Sequence, residues 1–113
     1  MSKSFSERNR ARCESPRGFH HTLDSWSLSD WLVALCGEAG EACNIAKKLN
    51  RCRDGIPGNT VTKEQLMEDL KRELADVYIY LDLIVQALGF SLEEIVEQKF
   101  AETNRKIGYT EEA

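Results

Sequence analysis

Residues 35–49 read LCGEAGEACNIAKKL and place Glu38 and Glu41 one helical turn apart, inside a run that otherwise has the composition of a buried helix. A second stretch, RELADVYIYL, repeats this spacing with Glu73 and Asp76. Side chains three positions apart lie on the same side of a helix, so each stretch presents two carboxylates together. The two pairs predict a hairpin of two helices whose carboxylates meet.

The apolar residues around both stretches recur at alternating spacings of three and four, which predicts two long helices. Ser27 with Asp30 and Thr62 with Gln65 have the form of helix-start caps. Residues 50–62 are rich in glycine and break the period, so they are predicted to form the connecting loop. The two apolar stripes are Leu28, Leu32, Leu35, Ala39, Ala42, Ala46 and Leu49, then Leu66, Leu70, Leu74, Val77, Leu81, Ile84 and Leu88.

Shorter helices are predicted on both sides of the hairpin. Capping patterns at Ser4 and Ser91 start one helix from residue 5 to about residue 13 and another that ends near Gly108. Residues 1–25 then comprise the short helix and an irregular loop whose flexibility would suit a ligand lid, and residues 106–113 a polar tail. The fold class is therefore all-α: one domain over residues 1–113, with a long antiparallel helical hairpin and shorter flanking helices. Because two helices cannot cover both of their own apolar stripes, we expect copies to form a four-helix bundle by homo-oligomerisation.

The composition is typical of a folded globular protein, with 42% hydrophobic and 30% charged residues among 113. A formal net charge of -4 argues against a broad surface for duplex nucleic acid. The N-terminal region lacks the apolar segment of a signal peptide, and no apolar run is long enough to span a membrane, so we expect a cytoplasmic protein.

The four cysteines form no C-x-x-C pair, and we expect them to be small buried thiols in a reducing compartment. A zinc site from Cys13, His20 and His21 is the alternative, but its spacing matches no common ligand pattern.

All four acids of the two pairs are predicted to point toward the packed side of their helices. Clustered carboxylates in a low-dielectric groove are costly unless protons or cations compensate them. Oxygen ligands select a hard cation, which favours Mg²⁺, with Mn²⁺ as a substitute. One acidic pair alone is common on a solvated helix face, but two facing pairs favour a metal site. A ferritin-like di-iron site would need Glu-x-x-His pairs, and no histidine follows His21.

The segments GEAGEACNIAKKL and RELADVYIYL together resemble the MazG-type all-α nucleoside triphosphate pyrophosphohydrolases, which include dCTP pyrophosphatases and dimeric dUTPases. The resemblance covers residues 26–104. The family motif, E-x-x-E on one helix and E-x-x-D on the next, is matched by Glu38, Glu41, Glu73 and Asp76. The resemblance implies a Mg²⁺-dependent homodimer or homotetramer that cleaves a nucleoside triphosphate between its α and β phosphates.

The chain departs from the family pattern at two positions. Gly37 stands where many members carry a further glutamate, although the dCTP-hydrolysing branch also has glycine there. Lys48 stands where some relatives place an aromatic residue that stacks on the base. Lys48 lies on the same side of its helix as Glu41, so it either contacts a phosphate or remains solvated.

The four motif acids are the predicted catalytic and metal-binding residues, and one of them, with Glu41 as the candidate, would deprotonate the attacking water. The resemblance assigns a sugar contact to Tyr80, whereas periodicity alone makes it a core residue. Trp26, Phe19 and His20 would stack on the base, while burial at a helix start is the other interpretation of Trp26. The predicted substrate-binding residues are Lys48, Tyr80, Lys99, Asn104, Trp26 and Phe19, with Lys99 and Asn104 resembling a phosphate-binding feature of the family.

The sequence thus predicts an enzyme that hydrolyses nucleoside triphosphates, dNTPs above all, to the monophosphate and pyrophosphate, and so cleans or balances the nucleotide pool. The alternative from another class is a catalytically idle helical protein that regulates or binds a partner through the same bundle. That alternative predicts no thermal stabilisation by Mg²⁺ plus nucleotide.

Overall fold

A computed structural model describes residues 3–112, and these residues form helices and turns without a strand. The predicted all-α fold class is confirmed. The elements are α1 (Phe5–Glu14), a short 3₁₀ turn (Leu23–Ser25), α2 (Leu28–Asp54), α3 (Lys63–Ala87) and α4 (Leu92–Ile107). Within the described part of the chain, none of these helices combines the length and the apolar character needed to cross a membrane.

Local capping explains where the helices start. Ser4 and Ser27 each accept a hydrogen bond from the backbone N–H of the third helical residue, whose carboxylate in turn accepts from the cap's N–H, which is a full capping box. The Thr62 hydroxyl accepts from Gln65 N at 3.1 Å, and Ser91 caps α4 through Glu94 N at 3.4 Å. All four predicted starts are confirmed.

Two helix ends differ from the prediction. Helix α2 continues five residues beyond Leu49, to Asp54, because the chain stays helical until Gly55 adopts the left-handed conformation at φ 67°. Arg51 and Arg53 lie in its last turn, where positive charge favours the helix dipole. Helix α4 likewise includes Ile107, so the polar tail begins at Gly108 and not at residue 106.

Helices α2 and α3 pack as an antiparallel hairpin, with Trp31 near Tyr80 and the middle of α2 beside the middle of α3. The core lies at one end of this hairpin, where α1 and the 3₁₀ turn join it. Trp31, which is 2% exposed, donates through Nε1 to the Leu23 carbonyl at 3.1 Å. The buried members of this core are Cys13, Leu23, Trp31, Leu83 and Ile84.

A buried carboxylate fastens α1 to α3. Asp82 is 1% exposed and accepts hydrogen bonds from Ser6 Oγ (2.6 Å), Asn9 Nδ2 (3.0 Å) and Gln86 Nε2 (2.9 Å). The Asn9 amide also donates to the Ile79 carbonyl at 3.0 Å. A buried acid must have such partners, and here every one is a neutral donor. This network fixes the position of α1 on α3.

Large apolar surfaces stay uncovered in a single chain. Leu28, Leu32 and Val33 are exposed on α2, and Leu74 and Tyr78 are exposed on α3. Helix α4 packs only against α3 and contains no buried residue. The radius of gyration is 18.1 Å, compared with about 13 Å for a compact chain of this length.

The cysteine prediction holds for Cys13 only, which is buried in the core. Cys36, Cys43 and Cys52 are exposed free thiols, because among the elements of residues 3–112 α2 packs on α3 alone and its other faces stay open.

Candidate functional site

The hairpin brings three carboxylates together midway along its length. One side-chain oxygen each from Glu38 on α2 and from Glu73 and Asp76 on α3 lies within 4.8 Å of the other two. All three side chains are half-buried. Within residues 3–112 this is the one group of three or more His, Cys, Asp or Glu side chains close enough to share an ion. We call Glu38, Glu73 and Asp76 the acidic cluster.

Glu41 lies at the edge of the acidic cluster. Its side chain is exposed, which corrects the expectation that all four acids point to the packed side. The helical spacing predicts that Glu41 lies near the interface between the two helices, but α3 covers only the side of α2 on which Glu38 lies. Glu41 still lies near enough to Glu73 to raise the pKa of that carboxyl group.

Hydrogen bonding, burial and mutual repulsion raise the pKa of two acids of the acidic cluster, Glu73 and Glu38. The hydrogen bond with Glu41 is the largest cause that raises the pKa of Glu73 to about 7, followed by burial and by the charges of Glu41, Glu38 and Asp76. Burial, then the charges of Glu41 and Asp76, raise the pKa of Glu38 above its ordinary range. When its acids are ionised, the acidic cluster therefore has more negative charge than its surroundings compensate.

The donor set fits a divalent cation. Glu38 Oε2 and Glu73 Oε2 are buried, and neither has a hydrogen-bond partner. Among residues 3–112, no lysine or arginine forms an ion pair with any of the four motif acids. Orphaned carboxylate oxygens from two helices are the ligands that Mg²⁺ and Mn²⁺ prefer, and a cation would compensate the charge that no side chain compensates.

A cleft of about 410 Å³ opens beside the acidic cluster, and both Glu38 and Asp76 line it. Its walls are mostly aromatic and apolar. Tyr80 has its pKa raised, first by burial and then by the charges of Glu38 and Asp76. The other lining residues are Arg12, Cys13, Phe19, His21, Trp26, Trp31, Ile79 and Leu83.

The aromatic rings of the cleft pack on one another. His21 stacks on Trp26 with centroids 4.9 Å apart, and Trp26 meets Trp31 at 4.7 Å. The predicted stacking residue Trp26 is therefore half-buried, with neighbours on its ring, while Phe19 is 64% exposed at the mouth. Both predicted residues reach the cleft.

Hydrogen bonds orient the His21 ring, which the sequence prediction did not assign to the site. The Ser25 hydroxyl donates to the Thr22 carbonyl at 2.8 Å, so its oxygen accepts from His21 Nδ1 at 2.9 Å. Nδ1 therefore carries a proton. The other ring nitrogen, Nε2, lies 3.7 Å from Cys13 Sγ.

Several predicted residues do not reach the cleft within one chain. Lys99 and Asn104 lie on α4, which contacts α3 alone, and Lys99 pairs with Glu102 at 3.6 Å. Lys48 is half-buried further along α2, where its carbonyl accepts from Asn59 Nδ2 at 2.8 Å. His20 is exposed and lies outside the cleft lining. The zinc alternative is therefore not assembled, since only Cys13 and His21 meet.

Residues 15–21, in the stretch predicted to be irregular, form a hydrogen-bonded turn. Their amides bond back to α1, with Phe19 N donating to Arg12 O at 3.1 Å and His21 N to Cys13 O at 2.9 Å. The turn lies beside Arg12 and Cys13 of α1, and both line the cleft. Arg12 had no predicted role, whereas Cys13 was predicted to be a buried thiol or, in the alternative, a zinc ligand. Their position at the cleft could not be predicted from a local sequence pattern, because the hydrogen bonds of this turn join residues several positions apart.

Comparisons with known proteins identify one curated relative and no family. The chain is 35% identical over 71 residues to the Gene 37 protein of Mycobacterium phage L5, a match that covers 63% of this chain. The chain spans 58% of that phage protein's length, and the phage protein's name states no activity. No family model and no solved structure matches the chain.

Proposed function

We propose that the protein is a divalent-metal-dependent nucleoside triphosphate pyrophosphohydrolase that uses Mg²⁺, with Mn²⁺ as a substitute. The observation that carries the proposal is the meeting of Glu38, Glu73 and Asp76 oxygens within 4.8 Å, beside a cleft with aromatic walls. The family resemblance of the two acidic segments supports the same chemistry. A nucleoside triphosphate fits both features, because its phosphate oxygens can bind a metal ion and its flat base can stack on an aromatic side chain.

The acidic cluster would hold the cation through carboxylate oxygens of both helices. A bound divalent cation supplies charge neutralisation for the phosphates and makes a bound water more acidic. The rigid hairpin positions Glu38, Glu73 and Asp76 before substrate arrives, so little reorganisation is needed.

Glu41 is the residue best placed to accept the proton of the attacking water. It borders the acidic cluster but does not belong to the three oxygens that converge there. Attack of water on the α phosphorus forms one P–O bond and breaks the bond to the α–β bridging oxygen. The products are the nucleoside monophosphate and pyrophosphate, and the water proton passes to Glu41.

The cleft would receive the nucleoside. Tyr80 lies next to Glu38 and Asp76 and so is placed for the sugar, while Trp26 and Phe19 offer ring surface to the base. Lys48, which lies further along α2, would contact a phosphate group only if the phosphate chain extends along this helix.

A second copy of the chain belongs to the same proposal. The single chain exposes 8565 Å², whereas a compact monomer of 12.9 kDa exposes about 6,300 Å². The excess of about 2,300 Å² exceeds the roughly 800 Å² that each partner buries in a stable interface. Packing of the outer α2 and α3 faces of two hairpins would complete a four-helix bundle, in a homodimer or homotetramer. Lys99 and Asn104 could act only from such an assembly.

The proposal is tested by incubating the purified protein with a panel of NTPs and dNTPs plus Mg²⁺ and measuring pyrophosphate release. We expect release from at least one nucleotide, and a loss of roughly 100-fold or more in Glu38→Gln and Asp76→Asn. Glu68→Gln is the matched control, because this acid lies on α3 in an exposed ion pair with Lys71 at 2.9 Å.

Undiminished activity in Glu38→Gln and Asp76→Asn would contradict the site. If no nucleotide is hydrolysed, the activity is wrong, and the helical interaction protein with its uncovered apolar faces becomes the better explanation.

A further inference from the structure

We propose that Arg12 binds the phosphate chain of the substrate, acting from α1 in the same cleft that the metal ligands Glu38 and Asp76 line. This inference rests on the proposed function, since it assigns a second anchor to the same substrate. The chemical class that Arg12 recognises is a polyphosphate, whatever nucleoside is attached to it.

The first support is position and charge. Arg12 lines the same cleft as Glu38 and Asp76, and it is the only lysine or arginine among the residues that line it. Among residues 3–112, Arg12 forms no ion pair. The cleft therefore contains both carboxylates and a guanidinium that form no ion pair. This combination suits an anionic ligand that binds together with a metal cation, such as a polyphosphate.

The second support is that the surrounding chain holds Arg12 in place. Its guanidinium carbon lies 5.2 Å from the centre of the Phe19 ring. The Phe19 N–H donates to the Arg12 carbonyl at 3.1 Å, and Gly18 approaches this carbonyl so closely that a Cβ there would clash with it. The next residue, Cys13, is buried in the core. The turn and the helix therefore fix the backbone of Arg12, and its exposed guanidinium lies over the Phe19 ring.

The third support is the chemistry of a stacked guanidinium. A cation–π contact uses the flat face of the group, whereas its N–H donors lie along the edge. With Phe19 beneath its face, Arg12 keeps those donors free. A forked pair of N–H donors matches two phosphate oxygens, and such charge-assisted bonds are stronger than neutral ones.

Arg12 also has a possible structural role, because a cation in the last turn of α1 favours the helix dipole. Arg8 offers a matched control for the loss of a charge and of an aromatic contact on α1. It lies one turn earlier on α1, with its guanidinium 5.6 Å from the Phe5 ring, and it does not line the cleft. Arg8→Gln and Arg12→Gln remove the same charge and the same kind of contact from the same helix.

The experiment measures binding of inorganic triphosphate in the presence of Mg²⁺ through the fluorescence of Trp26 and Trp31, which line the cleft. We expect Arg12→Gln to weaken this binding by roughly tenfold or more and Arg8→Gln to leave it unchanged. Arg12→Lys keeps the charge without the fork, so its affinity should fall between those of the wild type and Arg12→Gln. Binding of the free nucleoside, which has no phosphate, should be equal in all variants.

Equal triphosphate affinity of Arg12→Gln and the wild type would overturn the inference, as would an equal loss in Arg8→Gln. A loss restricted to nucleoside binding would also overturn it, because Arg12 would then contact the base. Triphosphate binding that depends on Arg12 in a protein without hydrolytic activity would support the inference while the proposed activity fails. If the wild type binds no triphosphate, the inference is wrong.

Discussion

Glu73 shows how protonation of one side chain affects the fold. Its pKa of about 7 in the folded protein lies above the ordinary value of 4.5. Between these two values the unfolded chain has lost the proton that the folded chain retains, so stability falls as pH rises. The full cost is present above about pH 7, where ionised Glu73 faces the other acids without a compensating cation.

We therefore predict that the melting temperature of the metal-free protein decreases when pH is raised from about 5 to about 8. Glu73→Gln should flatten this decrease, because its amide cannot ionise. Added Mg²⁺ should stabilise the protein more at the higher pH, since metal ligands must be deprotonated. The measurement is thermal unfolding followed by circular dichroism, with Glu68→Gln as control. A slope that is unchanged in Glu73→Gln would contradict the assignment.

At the same scale, the sequence allowed the acidic cluster to be predicted because an acid on an apolar helix face needs a partner. The positions of Glu38, Glu73 and Asp76 relative to the apolar residues of their helices show that all three acids lie on apolar faces. The spacing could not show that Glu41 is exposed, since this depends on how far α3 covers α2. The positions of Arg12 and His21 at the cleft could not be predicted for another reason, since they depend on how the turn over residues 15–21 folds back on α1.

At the scale of elements, capping residues and apolar periods predicted the four helices. The length of α2 was underestimated because its apolar stripe ends at Leu49, whereas the helix itself ends only at Gly55. The buried Asp82 network that holds α1 was not predicted, because Ser6 and Asn9 lie more than 70 positions from Asp82 in the chain. Such a polar contact leaves no periodic signal.

The outer face of α2 provides the prediction at this scale. Leu32 is 44% exposed in the single chain and lies in the apolar groove with Leu28 and Val33. If a second hairpin covers this groove, Leu32→Glu buries a charge and should shift the protein to monomers. Light scattering at micromolar concentration should give a multiple of 12.9 kDa for the wild type.

Ile56→Glu is the control for this shift, because Ile56 is 53% exposed in the loop between α2 and α3, away from the groove. It should keep the wild-type mass. A monomeric wild type would refute the bundle, and an oligomer that persists in Leu32→Glu would place the interface elsewhere.

At the scale of the whole molecule, one chain presents an antiparallel hairpin with a buried core at one end and an acidic cluster in the middle. Much of the remaining apolar surface is uncovered, including α4. The cluster and the cleft share Glu38 and Asp76, so a metal and an organic ring could be held side by side. In the proposed function, this shared boundary would link the metal chemistry to the choice of nucleotide.

The central claim is that the acidic cluster binds a divalent cation. Its most direct test is titration of the metal-free protein with Mn²⁺, following the free ion by electron paramagnetic resonance, in the wild type, Glu38→Gln and Glu68→Gln. We predict saturable binding that Mg²⁺ displaces, a loss of roughly tenfold or more in affinity in Glu38→Gln, and no change in Glu68→Gln. Wild-type protein that binds no Mn²⁺, or Glu38→Gln that binds it as tightly as the wild type, would contradict the claim.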